Sequence, residues 1–337
     1  MRDPGRYSAL LADAFLERGL DDALALHAEL RRRDRSFGLA SRAVELAVPV
    51  RDIGAELLRV DRDIGELGLG AAFRGALGRW GMVPRYEIPG ATWRVLRDEP
   101  FLAIGNHVNG LEVAMFSALF TRRDVYHLAG SFVGSVGPHI SRLILPLHST
   151  GEQTPPHGAR DRLFHSIGSL VWPVRAGGGA LRENYATLQR AADLIACDGA
   201  GVQVFPAGTV SRGAAWLPGA GHLVKQILRR QEESRPVSLV LFTYGVSDVH
   251  LLASALFRRR PLLRAAARMR IATWLGAPYV YASPPLPLAS LGITARTPAA
   301  EVTASLFRKW SELDAAARHA IPRWPVAWRW FREGARR

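Results

Sequence analysis

The chain has 337 residues, 48% of them hydrophobic and 22% charged, with 44 basic side chains against 30 acidic ones and a formal net charge of +14. This composition excludes a disordered or fibrous chain, and the length is ample for a buried core in one large domain or two modest ones. A single cysteine, Cys197, excludes a disulfide scaffold and a cysteine-rich metal site.

The first 80 residues carry apolar side chains at helical spacing over Tyr7 to Leu20, Asp22 to Arg33 and Arg42 to Leu67. The opening segment contains acidic residues and breaks in every apolar run, unlike a secretory signal. Gly68 to Gly81 is glycine-rich and reads as a shorter helix or a connection. After Trp80 the texture changes, and short apolar runs alternate with helical stretches. Strands are expected at Phe101 to Ile104, Val125 to Leu128, Leu170 to Val174, Val202 to Phe205 and Val237 to Thr243. Helices are expected from about Leu111, over Leu181 to Ala196 and over Gly221 to Arg230. The polar segment Ser149 to Ser166, with its Pro-Pro pair, reads as a long loop or lid. The expected fold class is therefore α/β, a mostly parallel β-sheet flanked by helices, with an N-terminal helical region. The divisions are 1–85 helical, 86–290 α/β, and 291–337 a basic, Trp-rich helical tail.

The charge is uneven along the chain. Residues 1–90 hold 14 basic and 14 acidic side chains, whereas residues 251–337 hold 15 and 4. Only Lys225 and Lys309 are lysines, so position is more informative than residue type. The segment Leu251 to Gly276 holds six arginines and no acid, and the C-terminus alternates arginine with Trp324, Trp328 and Trp330. Two readings stand: an ordinary surface helix packed on the body, or a cationic surface at a lipid headgroup boundary. No nucleic-acid-binding motif accompanies the charge. No segment reaches roughly 18 uninterrupted apolar residues, so no membrane-spanning helix is expected.

In parallel α/β sheets, chemistry gathers at the C-terminal ends of the strands. Three loops fall there. The first carries Asn106, His107 and Glu112. A strand-end histidine can act as a general base if a carboxylate holds its tautomer. Asn109 to Glu112 also fits the spacing of a helix capping box, with Asn109 as N-cap and Glu112 at N3. The second loop presents Arg175 before three glycines, a guanidinium suited to a phosphate. The third contains Pro206, Gly208, Thr209, Ser211 and Arg212, where backbone N–H groups and hydroxyls suit an anion or a carbonyl oxygen. No nucleophile elbow, P-loop, complete dinucleotide fingerprint or zinc-ligand pattern occurs, so no metal is expected.

Taken in order, these blocks resemble the glycerolipid (lysophospholipid) acyltransferase superfamily. Its signature, histidine followed after four residues by an acid, is similar to His107 through Glu112, with glutamate as the acid. Its second block resembles Ser169 to Arg175 and its third Phe205 to Ser211, with Ala207 and Val210 in place of glutamate and arginine. Its fourth resembles Pro236-Val237, and the blocks span residues 95–245. The resemblance implies an acyltransferase of lipid metabolism. His107 would be the general base and Glu112 its orienting group. Asn106, Arg175, Pro206, Gly208, Thr209, Ser211 and Arg212 would hold the substrate. Acyl-CoA or acyl carrier protein would be the donor co-substrate, with no tightly bound cofactor. The acceptor would be a lyso-lipid or another amphiphile, because the Phe-Pro-Ala-Gly variant departs from the lysophosphatidate-type block. The implied setting is bacterial, cytoplasmic, and peripheral to the inner face of the cytoplasmic membrane. The alternative is a catalytically degenerate lipid- or carrier-binding protein of the same fold.

Overall fold

The computed structural model describes residues 4–47, 50–108, 110–148, 179–208, 216–231, 236–246, 278–294 and 296–320. The expected strand at Leu170 to Val174, the polar segment Ser149 to Ser166 and the arginine-rich stretch before Gly276 lie outside these residues. So do the tryptophan-arginine alternation at the C-terminus and Arg175, Thr209, Ser211 and Arg212.

Five helices lead the chain: Pro4–Arg18, Leu20–Arg33, Arg35–Ala47, Val50–Leu67 and Leu69–Trp80. The helical pattern expected over Arg42 to Leu67 is thus divided between two helices. Leu20–Arg33 opens with Asp21 and Asp22 and ends with Arg31, Arg32 and Arg33. Each charge cluster therefore faces the helix pole of opposite sign.

The strands are β1 (Arg85–Glu87), β2 (Phe101–Gly105), β3 (Val125–Gly130), β4 (Ile144–Leu147), β5 (Gly201–Val204), β6 (Ser238–Gly245), β7 (Tyr279–Ala282) and β8 (Leu286–Pro287). They form one sheet in the order β1-β7-β6-β2-β5-β3-β4, with β8 beside β6. Pairing is parallel except where β6 meets β7 and β8. The fold is α/β with a mostly parallel sheet flanked by helices, as expected. Sequence periodicity does not mark β1, β4, β7 and β8, because each is only two to four residues long and mixes polar or proline residues with apolar ones.

Every residue of β2 is buried, as a strand covered on both faces requires. Alternation along the strands feeds two apolar layers. Phe101, Ala103, Val240 and Phe242 face the first layer, with the N-terminal helices and the helix Leu111–Ser117. Leu102, Ile104, Val202, Val204, Leu239 and Leu241 face the second. That second layer takes in the helices Ala180–Ala196, Gly219–Gln231 and Ala299–Ala320.

The two outer segments of the chain are therefore tied to the α/β body. Ala14, Phe15, Val60 and Ile64 from the N-terminal helices share a core with Phe101 and Val125. Val302, Leu306 and Trp310, from the stretch grouped with the C-terminal tail, are buried against Leu223 and Ile227. The Trp310 indole N–H donates to the carbonyl of Phe242 at 2.9 Å. Thr243 Oγ donates to Asp314 at 2.6 Å.

Candidate active site

Strands β2, β5 and β6 lie side by side at the centre of the sheet, with Ile104 opposite both Val204 and Leu241. Their C-terminal ends bring the first and third sequence loops together. Asn106 and His107 follow β2 directly, and Phe205 and Pro206 follow β5. The His107 ring stacks on Phe205, with centroids 4.9 Å apart and planes 19° from parallel.

Gly110, at φ +91°, turns the chain into the helix Leu111–Ser117. A side chain would be strained in that left-handed region. The helix therefore starts later than a capping box beginning at Asn109 requires. With Gly110 as N-cap, Glu112 is the second helical residue, and no side-chain cap forms. Glu112 folds back over the loop instead. Its Oε1 accepts the N–H groups of Val108 at 3.1 Å and Gly110 at 3.0 Å, and meets Nδ1 of His107.

Glu112 is fully buried, while the His107 side chain keeps 23% of its surface. A buried carboxylate is tolerated only when it is hydrogen-bonded, and here a histidine and two amides supply the bonds. With Nδ1–H donating to Glu112, the lone pair of His107 lies on Nε2, the nitrogen left to take up a proton. The pair has the geometry that a base and an orienting acid require, and it sits where the sheet presents its strand ends.

Of the other expected site residues, Asn106 is buried, and its carbonyl oxygen has no hydrogen-bond partner among the described residues. Pro206 and Ala207 are buried and Gly208 is exposed. The Gly208 N–H donates to Phe205 O at 3.1 Å, closing a tight turn. The Leu217 N–H returns to Pro206 O at 2.9 Å.

No sequence motif marks a set of buried polar side chains next to this site. Ser117, His127, Gln203 and Tyr244 are all buried. Ser117 Oγ lies 3.4 Å from Nε2 of His127, and His127 Nδ1 lies 2.7 Å from Oε1 of Gln203. Gln203 Nε2 donates to the Tyr244 hydroxyl at 3.3 Å. Burial lowers the His127 pKa to about 4, against a partial raising effect of Gln203. Burial, followed by the negative charge of Glu112, raises the Tyr244 hydroxyl well above its ordinary value. The signal in the sequence is a polar side chain inside each of three largely apolar strands, VYHLAG, GVQV and SLVLFTYG.

No protein-family model matches the chain, and no curated protein matches it. Among solved structures, it is similar to the crystal structure of the 1-acyl-sn-glycerophosphate (LPA) acyltransferase, PlsC, from Thermotoga maritima. The two share 13% identity over 92% of this chain and 94% of that one, with a TM-score of 0.36. No helix among the described residues is long and apolar enough to cross a membrane.

Proposed function

We propose that this protein is an acyltransferase that moves a fatty acyl group from a thioester donor, acyl-CoA or acyl carrier protein, to a hydroxyl or amine of a lipid-like acceptor. The observation that carries the reading is the contact of His107 Nδ1 with buried Glu112 at the end of β2, which leaves Nε2 as the base. His107 takes the proton of the acceptor group as that group attacks the thioester carbonyl. The tetrahedral intermediate collapses, the carbon–sulfur bond breaks, and the imidazolium returns its proton to the leaving thiolate. Glu112 holds the tautomer and stabilises the imidazolium between these transfers. No acyl-enzyme forms.

In this reading Asn106, Arg175, Pro206, Gly208, Thr209, Ser211 and Arg212 form the acceptor side of the site. Ala207 stands where the related block carries glutamate, which favours an amphiphilic acceptor other than lysophosphatidate. The enzyme works at the inner face of the cytoplasmic membrane, held peripherally by the arginine-rich segments after residue 250. The test is release of free thiol from acyl-CoA and acyl carrier protein across a panel of lyso-lipid and amine acceptors. Wild type turns over and His107→Ala does not. Full turnover by His107→Ala would overturn the mechanism.

The same Ala207 motivates the second reading, a lipid- or carrier-binding protein without turnover. Vesicle or carrier binding with no thioester consumed by wild type, across the whole panel, selects that reading.

A further inference from the structure

Four polar side chains cross the apolar layer directly behind the candidate pair. Ser117 ends the short helix near whose start Glu112 sits. His127, Gln203 and Tyr244 come from β3, β5 and β6. A hydrogen-bonded polar group in a core contributes little net stability, whereas one left unpaired is costly. Such a chain is therefore kept or lost as a unit.

Its internal order is fixed by donors and acceptors. His127 is neutral, and its Nδ1–H donates to the Gln203 carbonyl. Its Nε2 is then an acceptor for the Ser117 hydroxyl. The Gln203 amide donates to the Tyr244 oxygen. Each step leaves one direction for the next, so the Tyr244 hydroxyl proton is directed away from Gln203.

The far end of the chain touches what holds His107. A Cβ at Gly105 would lie 2.8 Å from Cε2 of Tyr244, so the tyrosine ring occupies the space a side chain would need there. Gly105 is two residues before His107. The Tyr244 ring also lies 6.4 Å from Phe205, the ring on which His107 stacks. Glu112 is the carboxylate whose charge acts on the Tyr244 hydroxyl. On the other side of the helix seat, the Tyr86 hydroxyl donates to the Met115 carbonyl at 3.2 Å.

We propose that Tyr244, anchored through Gln203 and His127 to Ser117, is a positioning residue that holds the end of β2 and the Phe205 ring in place, and with them the His107 imidazole against Glu112. This rests on the reading of His107 and Glu112 as the catalytic pair. Tyr244 does not touch substrate. Its ring supports the strand end at Gly105, and the bond between its hydroxyl and Gln203 holds the ring there.

The experiment uses the 15N-labelled full-length protein and two readouts. One is the downfield proton signal of His107 Nδ1–H, assigned by its loss in His107→Ala. The other is the split of thioester turnover into kcat and KM. Tyr244→Phe keeps the ring and removes only the hydroxyl. The expected result is a folded variant whose Nδ1–H signal shifts or exchanges faster with water, and whose kcat falls about tenfold at unchanged KM, the scale of one net hydrogen bond. A folded Tyr244→Phe with both signal and kcat at wild-type values overturns the proposal. If Tyr244→Phe does not fold, Gln203→Met cuts the chain one step earlier and is judged by the same two results. Failure of the catalytic reading shows separately, as turnover retained by His107→Ala, while the Nδ1–H signal still decides whether Tyr244 holds the pair.

Discussion

The two faces of the sheet are built from the same strands but differ in chemistry. The face toward the helices Ala180–Ala196, Gly219–Gln231 and Ala299–Ala320 is aliphatic at its centre, with Leu102, Ile104, Val202, Leu239 and Leu241 closing on Leu223 and Ile227 and Trp310 at its edge. Its buried polar groups bond in isolated pairs between helices: Gln226 donates to the Tyr185 hydroxyl at 2.7 Å, and Thr303 Oγ accepts the Gly221 N–H at 3.0 Å. The opposite face buries Glu112, His127, Gln203 and Tyr244 among Phe101, Phe116 and Phe242. Aromatic packing there is dense, with Phe116 edge-on to Phe242 at 4.9 Å and to Phe120 at 4.8 Å. Both layers are close-packed, and the aromatic one encloses the buried polar groups. One face is closed by packing, and the other also buries the carboxylate that meets His107, the pair proposed above as base and partner.

The largest expected effect tests that division at its centre. Glu112→Gln removes the charge beside Nδ1 of His107, and on the proposed mechanism kcat is expected to fall by on the order of 10³-fold. Steady-state kinetics on the folded variant checks it, and a loss under threefold would detach Glu112 from the chemistry.

Ile227→Ala tests the aliphatic face. The side chain is fully buried, so its truncation should cost about 2–5 kcal/mol of unfolding free energy in a urea titration. Turnover per folded molecule should match wild type. A comparable loss of turnover would mean that the two faces are not functionally distinct.

His127 gives the polar face a pH signature. Its ordinary pKa is 6.5, and burial brings the folded value to about 4. The unfolded chain therefore binds a proton in this window that the folded chain refuses. The contribution is complete above pH 6.5 and is lost as pH falls toward 4, amounting to roughly 3 kcal/mol. His27, also lowered by burial, acts in the same direction. The wild-type minus His127→Gln difference in unfolding free energy isolates the effect, and a difference flat between pH 7 and 4 would show that His127 does not titrate this way.

The smallest effect concerns the basic segments that lie outside the described residues. Residues 251–277 and 321–337 hold eleven basic side chains and one acidic one. Truncation after Gly245 would remove Trp310 and Asp314, which bond to β6, and so would injure the core. Truncation after Ala320 spares them and removes five arginines. Binding to anionic vesicles should weaken about tenfold and lose part of its salt dependence, at about 1 kcal/mol per well-placed charge. Equal binding by the truncated protein in a flotation assay would assign the surface elsewhere.

Much of this organisation was legible along the chain. The uniformly apolar FLAIG reads as a buried strand, and the histidine and acid after it read as a base with its partner. The helices Ala180–Ala196 and Gly219–Gln231 fall within two residues of their expected bounds. What escaped was short or distant. Strands β1 and β7 pair with one another across 190 residues, and neither carries a pattern strong enough to announce itself. His127, Gln203 and Tyr244 read separately as odd polar residues in apolar strands. Only the fold joins them, with His127 opposite Gln203 in register and Tyr244 bonded to Gln203 from the far side of β2.

The sequence by itself determined the local terms: which runs are apolar, where glycine permits a turn, and that His107 and Glu112 stand five residues apart. Those follow from side-chain size, backbone freedom and spacing, which act within a few residues. Only the tertiary structure decided that Glu112 would face His107 instead of capping its helix in the box register. It also decided that Phe205 would lie under the imidazole and that a tyrosine from β6 would stand behind the pair. Those depend on the burial of a carboxylate that the surrounding fold must satisfy, and burial is a property of the whole chain.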